Sequence, residues 1–249
     1  MIELRGVYKA FGEQRVLAGL DLTVEPGETL VILGRSGTGK SVTLKHVVGL
    51  LRPDSGSVQV DGIDVPSARG EALRRVRTLV AYLFQTGALV NWMSVRDNVA
   101  LPLIERREQP RRAIHDQVDQ ALESLDMLHA ADKLPGEISG GMRKRAALAR
   151  VLVQRPRAIL YDEPTAGLDP LMARTVAQLI LGVQAEAERS AVVVTHDLEL
   201  AFSVATRIGL HHEGRLVELA DPETFRRSEH PVIRAFLDGG SDPTGAPPS

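Results

Sequence analysis

The sequence predicts an α/β fold: a strand–helix core interrupted by a helical insert. Three observations carry that reading. Short, continuously apolar runs recur at Thr29–Leu33, in "AILYDEP" (158–164) and in "SAVVVTHD" (190–197), each with the length of a strand buried on both faces. A glycine-rich loop follows the first run, and a helical pattern follows the loop. Residues from about 86 to 155 then change character and read as mostly helical.

The elements follow in order. "LDLTVEPGETLVILG" alternates before it becomes apolar, with a turn at Pro26-Gly27. After Lys40 the apolar positions Leu44, Val47, Val48 and Leu51 predict a helix, which "RPDSG" (52–56) ends. "GSVQVDG" alternates as a strand. Within the insert Ile114, Val118, Ala121, Leu122, Leu125 and Leu128 recur at helical spacing. "IGLHHEGRLVELA" reads as a hairpin turning at Glu213-Gly214, and His211 and His212 beside it receive no role. The Gly/Pro/Ser-rich end "GGSDPTGAPPS" is expected to be disordered.

Bulk properties bound the function. The chain has 249 residues, 43% hydrophobic and 25% charged, enough for a buried core. Its net charge of −2 gives no footprint for nucleic acid. It has no cysteine, which fits a reducing compartment. The charged N-terminus does not read as a signal peptide. No apolar run approaches the roughly 20 residues that span a bilayer, so a membrane role needs a partner. The basic runs "RREQPRR" (106–112) and "RRVR" (74–77) read as solvated helix faces.

"GRSGTGKS" (Gly34–Ser41) matches G-x-x-x-x-G-K-[ST], with a strand before it and a helix after it. Gly37 and Gly39 let backbone N–H groups turn toward phosphate oxygens, flanked by Arg35, Ser36, Thr38 and, on the helix, Val42. Lys40 would reach the β- and γ-phosphates, and the Ser41 hydroxyl would ligate Mg²⁺. Asp162 closes an apolar strand, where a carboxylate holds the metal, and Glu163 after it can serve as general base for an attacking water. No N-K-x-D strand end is present, which weighs against guanine. Phe11, with Val16 nearby, is available to stack on a base.

"EISGGMRKRAALAR" (137–150) poses a separate problem, because glycine costs a helix about 0.8–1 kcal/mol relative to alanine. Ser139 is a good N-cap type. Gly140 and Gly141 leave the first-turn N–H groups bare, open to an anion.

"ISGGM" resembles the LSGGQ signature of ABC-type ATPases, and other motifs of that family occur in its order across about residues 1–222. Met142 and Ile138 depart from the usual glutamine and leucine. The resemblance implies a P-loop NTPase (RecA-like) core with a mixed sheet, an N-terminal antiparallel β subdomain and an inserted α-helical subdomain. The nucleotide-binding domain would span 1–222, its core 1–85 and 156–222 and its helical subdomain 86–155, with a partly disordered C-terminal extension at 223–249. It implies adenine stacking for Phe11 and a glutamine loop at Gln85, which would also reach the metal. It implies a D-loop at "AGLDP", whose Asp169 would touch the partner's site, and a switch histidine at His196 that contacts the γ-phosphate and orients the water and Glu163. Two subunits would bind head to tail, so that Ser139, Gly140, Gly141 and Met142 meet an ATP held by the partner.

About a hundred residues separate Lys40 from Ser139, too few for the long coiled coil of SMC-like ATPases. A separate ATPase subunit of a transporter remains. "GRSGTGKSVTLKHVVGLLRPDSGSV", "YLFQTGALVNWMSVRDNVALPL" and "ISGGMRKRAALAR" resemble the ATPase subunits of MCE/Mla-type lipid transporters, as does "FLDGGSDPTG". That resemblance implies ATP and Mg²⁺ as cofactors, and a homodimer at the cytoplasmic face of the inner membrane. Its partners would be an integral-membrane permease and an MCE-type lipid-binding protein, with no nucleic acid. A generic solute importer and a non-transport ABC ATPase that regulates a membrane-bound partner are the alternatives. The segment Thr86–Asn98, with Leu89 and Trp92, is the candidate permease dock. Phe236-Leu237 is expected to anchor the tail on the neighbouring subunit.

Overall fold

A computed structural model describes residues 1–106, 109–187 and 189–239. The end of the chain from 240, expected to be disordered, lies outside the described residues, as do 107 and 108 of the basic run.

Strands β1 (Ile2–Phe11) and β2 (Gln14–Val24) form an antiparallel hairpin. β3 (Thr29–Leu33) runs into the phosphate loop, and α1 (Lys40–Val47) leaves it. β4 (Ser55–Val60), β5 (Ile63–Asp64), α2 (Gly70–Leu79) and β6 (Val80–Leu83) follow. The insert holds α3 (Val95–Arg106), α4 (Arg111–Glu123) and α5 (Gly140–Leu152), and its first nine residues are irregular. Then come β7 (Ala158–Asp162), α6 (Pro170–Ala187), β8 (Ser190–Thr195), α7 (Leu198–Val204), β9 (Arg207–His212) and β10 (Arg215–Ala220). Two short helices, α8 (Pro222–Arg226) and α9 (Pro231–Leu237), close the described chain.

The strands make two sheets. One is antiparallel, ordered β2-β1-β4-β5. The other is ordered β10-β9-β3-β8-β7-β6, parallel except for β10, which returns from β9 through Glu213-Gly214 in the expected hairpin. Alternation along the parallel strands splits the core in two. Val31, Leu33, Ile159, Tyr161, Ala191 and Val193 face one cluster with α3 to α7. Leu30, Ile32, Ala158, Leu160, Val192 and Val194 face the other, with α1 and the antiparallel sheet. Each fully buried aliphatic side chain contributes about 1.5–3 kcal/mol, so both faces of the central strands resist exposure. That three-layer arrangement fixes the strand ends on which the site is built.

Two expectations need correction. The helix after Lys40 ends before Leu51, because Gly49 takes φ +65. The amides of Gly49 and Leu50 then donate to the carbonyls of His46 (3.1 Å) and Lys45 (2.9 Å), a glycine-based stop. Arg77 is exposed, as expected, and its guanidinium also donates to Val48 O at 3.1 Å, covering the last carbonyls of that helix. Phe236 and Leu237 pack on the core of their own chain.

Candidate nucleotide site

The site lies at the C-terminal ends of β3, β7 and β8. The loop from Gly34 to Gly39 wraps the start of α1. Gly37 and Gly39 have φ of +82 and +106, values that disfavour a side chain. A β-carbon on Gly39 would also stand 2.6 Å from Val16 Cγ1. Val16 therefore braces the loop. Helix α1 has no side-chain cap. The N–H groups of Lys40, Ser41 and Val42 accordingly have no partner within the helix, and the first intrahelical bond runs from Thr43 N to Gly39 O. Val42 offers only its backbone, since its side chain packs in the core. Arg35 and Ser36 are exposed, and Thr38 closes the loop by donating to Arg35 O at 3.0 Å.

Lys40 is buried and donates to the carbonyls of Gly34 (2.7 Å) and Arg35 (2.8 Å). Its ammonium lies 3.2 Å from Glu163 Oε1. Burial lowers its pKa, opposed by the charges of Glu163 and Asp162. Ser41 donates to Asp162 Oδ1 at 2.7 Å. Tyr82 donates to Oδ2 of the same carboxylate at 2.7 Å, a contact that no sequence motif signals. Burial and that acceptor together raise the Tyr82 pKa.

Glu163 sits in the left-handed region at φ +46, which breaks the strand alternation. Its carboxylate consequently shares a side with Asp162 instead of facing away. Oε2 accepts from His196 Nδ1 at 2.9 Å, and Oε1 meets Lys40. The structure thus gathers Lys40, Ser41, Asp162, Glu163 and His196 at one place, in two contact chains, Ser41–Asp162 and Lys40–Glu163–His196.

The remaining candidates stand apart. Phe11 is half-exposed at the tip of the β1–β2 hairpin, with the Lys9 ammonium 5.5 Å from its ring centre. Gln85 is exposed beyond β6 and makes no hydrogen bond to Ser41 or Asp162. Asp169 caps α6 by accepting from the amides of Leu171 and Met172, both at 3.0 Å. Ser139 caps α5, accepting from Met142 N at 3.2 Å. Gly140 is exposed. Gly141 is not bare within its own chain, because the Met172 methyl occupies the place of its β-carbon. The Met142 side chain packs against the core, leaving only its backbone at the helix entrance.

A magnesium–nucleotide fits these groups. The uncapped first turn of α1 and the Lys40 ammonium suit phosphate oxygens. Ser41 and Asp162 present hard oxygen donors side by side, the type Mg²⁺ selects. Among the described residues no cluster of three or more metal-ligating side chains exists, so phosphate and water would complete the shell, as is usual for this ion.

Comparison with known proteins supports the nucleotide. The family model for ABC transporters matches residues 17–166. A probable ribonucleotide transport ATP-binding protein, Mkl of Mycobacterium tuberculosis, is 43% identical over 238 residues, 96% of this chain. The chain spans 66% of the length of that relative. The intermembrane phospholipid transport ATP-binding protein MlaF of Escherichia coli is 34% identical, covering 97% of this chain and 90% of MlaF. A dimeric post-hydrolysis structure of the cassette MJ0796 with ADP and phosphate superposes with a TM-score of 0.82 at 29% identity, over 89% of this chain and 99% of that one.

Proposed function

The chain belongs to the ABC transporter family of ATP-hydrolysing cassettes, and from that premise we propose that it energises lipid transport across a cell envelope. It would work as a head-to-tail dimer on a separate permease, with residues 1–222 as the nucleotide-binding unit. Among the described residues no helix is long and apolar enough to cross a membrane, so the permease would hold it at the cytoplasmic face of the inner membrane. An MCE-type protein would receive or deliver the lipid.

One observation carries the chemistry: the Glu163 carboxylate is held between Lys40 and His196. When ATP enters, Lys40 exchanges the Gly34 and Arg35 carbonyls for phosphate oxygens. Glu163 then loses its ion-pair partner and is free to accept a proton from water. That water attacks the γ-phosphorus, the bond to the β-phosphate oxygen breaks, and ADP and phosphate leave. His196 keeps Glu163 aimed. Ser41 and Asp162 would hold Mg²⁺, which would supply positive charge against the phosphates. The Ser139–Gly140–Gly141 entrance of the partner would close on the γ-phosphate, each hydrogen bond to that charged group contributing about 1.5–3 kcal/mol.

The lipid cargo rests on the likeness to MlaF and on the "FQTGAL" and "SGGM" stretches. A second reading, ribonucleotide cargo, is favoured by the name of the mycobacterial relative. Two measurements test the proposal. Glu163→Gln should bind ATP and hydrolyse it at least about 10²-fold more slowly, and undiminished turnover removes Glu163 from the role of base. Mass spectrometry of the membrane-purified complex should find phospholipid, whereas ribonucleotide other than ATP and ADP would favour the second reading.

A further inference from the structure

We propose that Lys144 is a positioning residue for hydrolysis, holding from helix α5 the turn that aims Glu163. The inference rests on the reading of Glu163 as the base. Lys144 lies one helical turn after Gly140. Its ammonium donates to Pro164 O at 2.7 Å and to Ala166 O at 3.0 Å, and reaches Glu163 O at 3.5 Å. An ammonium has three donors, and one turn of backbone takes all three. That turn needs them: Glu163 and Gly167 both have positive φ, +46 and +72, so its carbonyls do not point along a strand ladder. Burial lowers the Lys144 pKa while the Glu163 charge opposes the shift. The ammonium is therefore partly desolvated and committed to these acceptors.

A second contact ties the same two segments. The Met172 methyl lies against Gly141 where a β-carbon would sit. The first turn of α5 is thus fastened to residues 163–172 at two points, one polar and one apolar. Glu163 has little freedom of its own, since its amide donates to Val194 O at 2.9 Å on one side. The Lys144 contacts hold the other side. A shift of α5 by even one ångström would be transmitted to the carboxylate, and misplacement on that scale can cost about 10²-fold in rate. The helix whose entrance would grip one nucleotide would in this way set the base that acts on the other.

The test uses the full chain with MgATP. Lys144→Met keeps the stem and removes the three donors; Lys144→Arg keeps the charge and the donors. The methionine variant should lose at least about 10-fold in kcat, about 1.4 kcal/mol, with KM for ATP within about twofold of wild type. The arginine variant should recover most of the loss. Should the methionine variant fail to fold, Lys144→Gln carries the same expectation. The inference is overturned by a kcat within twofold of wild type in the methionine or glutamine variant, by a change confined to KM, or by an arginine variant as slow as the methionine one. Glu163→Gln keeps the two claims apart. If it is inactive while Lys144→Met is fully active, the base stands and the positioning role falls; if it is fully active, the reading of Glu163 falls first.

Discussion

Tyr82 and Ser41 grip opposite oxygens of one carboxylate, each donating to Asp162 at 2.7 Å. Asp162 is buried, so the phenol is a structural partner for a largely desolvated charge. Tyr82→Phe keeps the ring and removes the donor. A hydrogen bond to a charged group contributes about 1.5–3 kcal/mol, and the variant should lose a stability of that order in urea unfolding. A midpoint identical to wild type would mean that Ser41 alone satisfies the carboxylate.

His196 plays a different part. Its side chain is half-exposed, and its ring reaches Glu163 Oε2 at 2.9 Å. Removing an exposed ring changes stability by about 0.5 kcal/mol or less. Loss of a charged hydrogen bond that aims the base should slow turnover by about 10- to 100-fold. His196→Ala should therefore melt like wild type and hydrolyse ATP slowly. A normal rate in single-turnover assays would show that Lys40 and the backbone suffice to aim Glu163.

The contrast between these two residues shows what was legible in the sequence. Lys40 and Ser41 open a helix directly after a glycine-rich loop, and Asp162, Glu163 and His196 sit at strand ends beside turn residues, where local pattern and chemistry coincide. The strand–helix order and the β9–β10 hairpin were legible for the same reason. Tyr82 lies inside a four-residue strand, and its partner is 80 residues away. Lys144 reads as an ordinary helix lysine until the turn at 164–166 is placed over it. The bare entrance at Gly141 was half legible. Its small residue packs against a Met172 methyl from 31 positions on, and no local rule announces that. Gly49 was missed because apolar spacing ran on past it to Leu51.

His211 also escaped the sequence reading. It is buried under the phosphate loop, its ring near Gly39 and both ring nitrogens without a partner. Burial, with the Lys40 and His212 charges, lowers its pKa from 6.5 to about 4. The folded state holds the ring neutral, while the unfolded chain protonates it below pH 6.5. The unfolded state thus binds more protons in this window, and stability falls as pH drops from 6.5 toward 4. At pH 5 the loss is about 2 kcal/mol relative to pH 7.5. His211→Leu should remove this component. Urea midpoints of the two proteins should diverge between pH 7.5 and pH 5, and parallel curves would place the acid sensitivity elsewhere.

Gly141→Ala probes the helix entrance. Alanine favours the helix by about 0.8–1 kcal/mol, and the Met172 methyl it meets is the free end of a flexible side chain. The two effects oppose, so stability should change by less than about 1 kcal/mol. The new methyl would nonetheless cover the first-turn amides. In a Glu163→Gln background, ATP should drive dimerisation when Gly141 is kept and fail to do so when the alanine replaces it, as measured by light scattering. An undiminished ATP-dependent dimer would detach Gly141 from phosphate recognition.

The segment at 86–98 separates into two kinds of residue. Leu89 packs against the core, so a charge there would disturb folding before it tested any partner. Trp92 is 83% exposed. The loop that presents it is held by buried Asn98, which accepts from Val90 N at 2.7 Å and donates to the carbonyls of Val90, Met93 and Ser94 at 3.0–3.1 Å. A large aromatic on a fixed loop is the type of residue that dominates interface energies, and truncation of such an anchor costs about 2 kcal/mol or more in binding. Trp92→Ala should keep the fold and the basal ATPase rate and weaken capture of the permease at least about 30-fold. Equal recovery of permease by wild type and variant, at subunit concentrations near the dissociation constant, would move the dock off this loop.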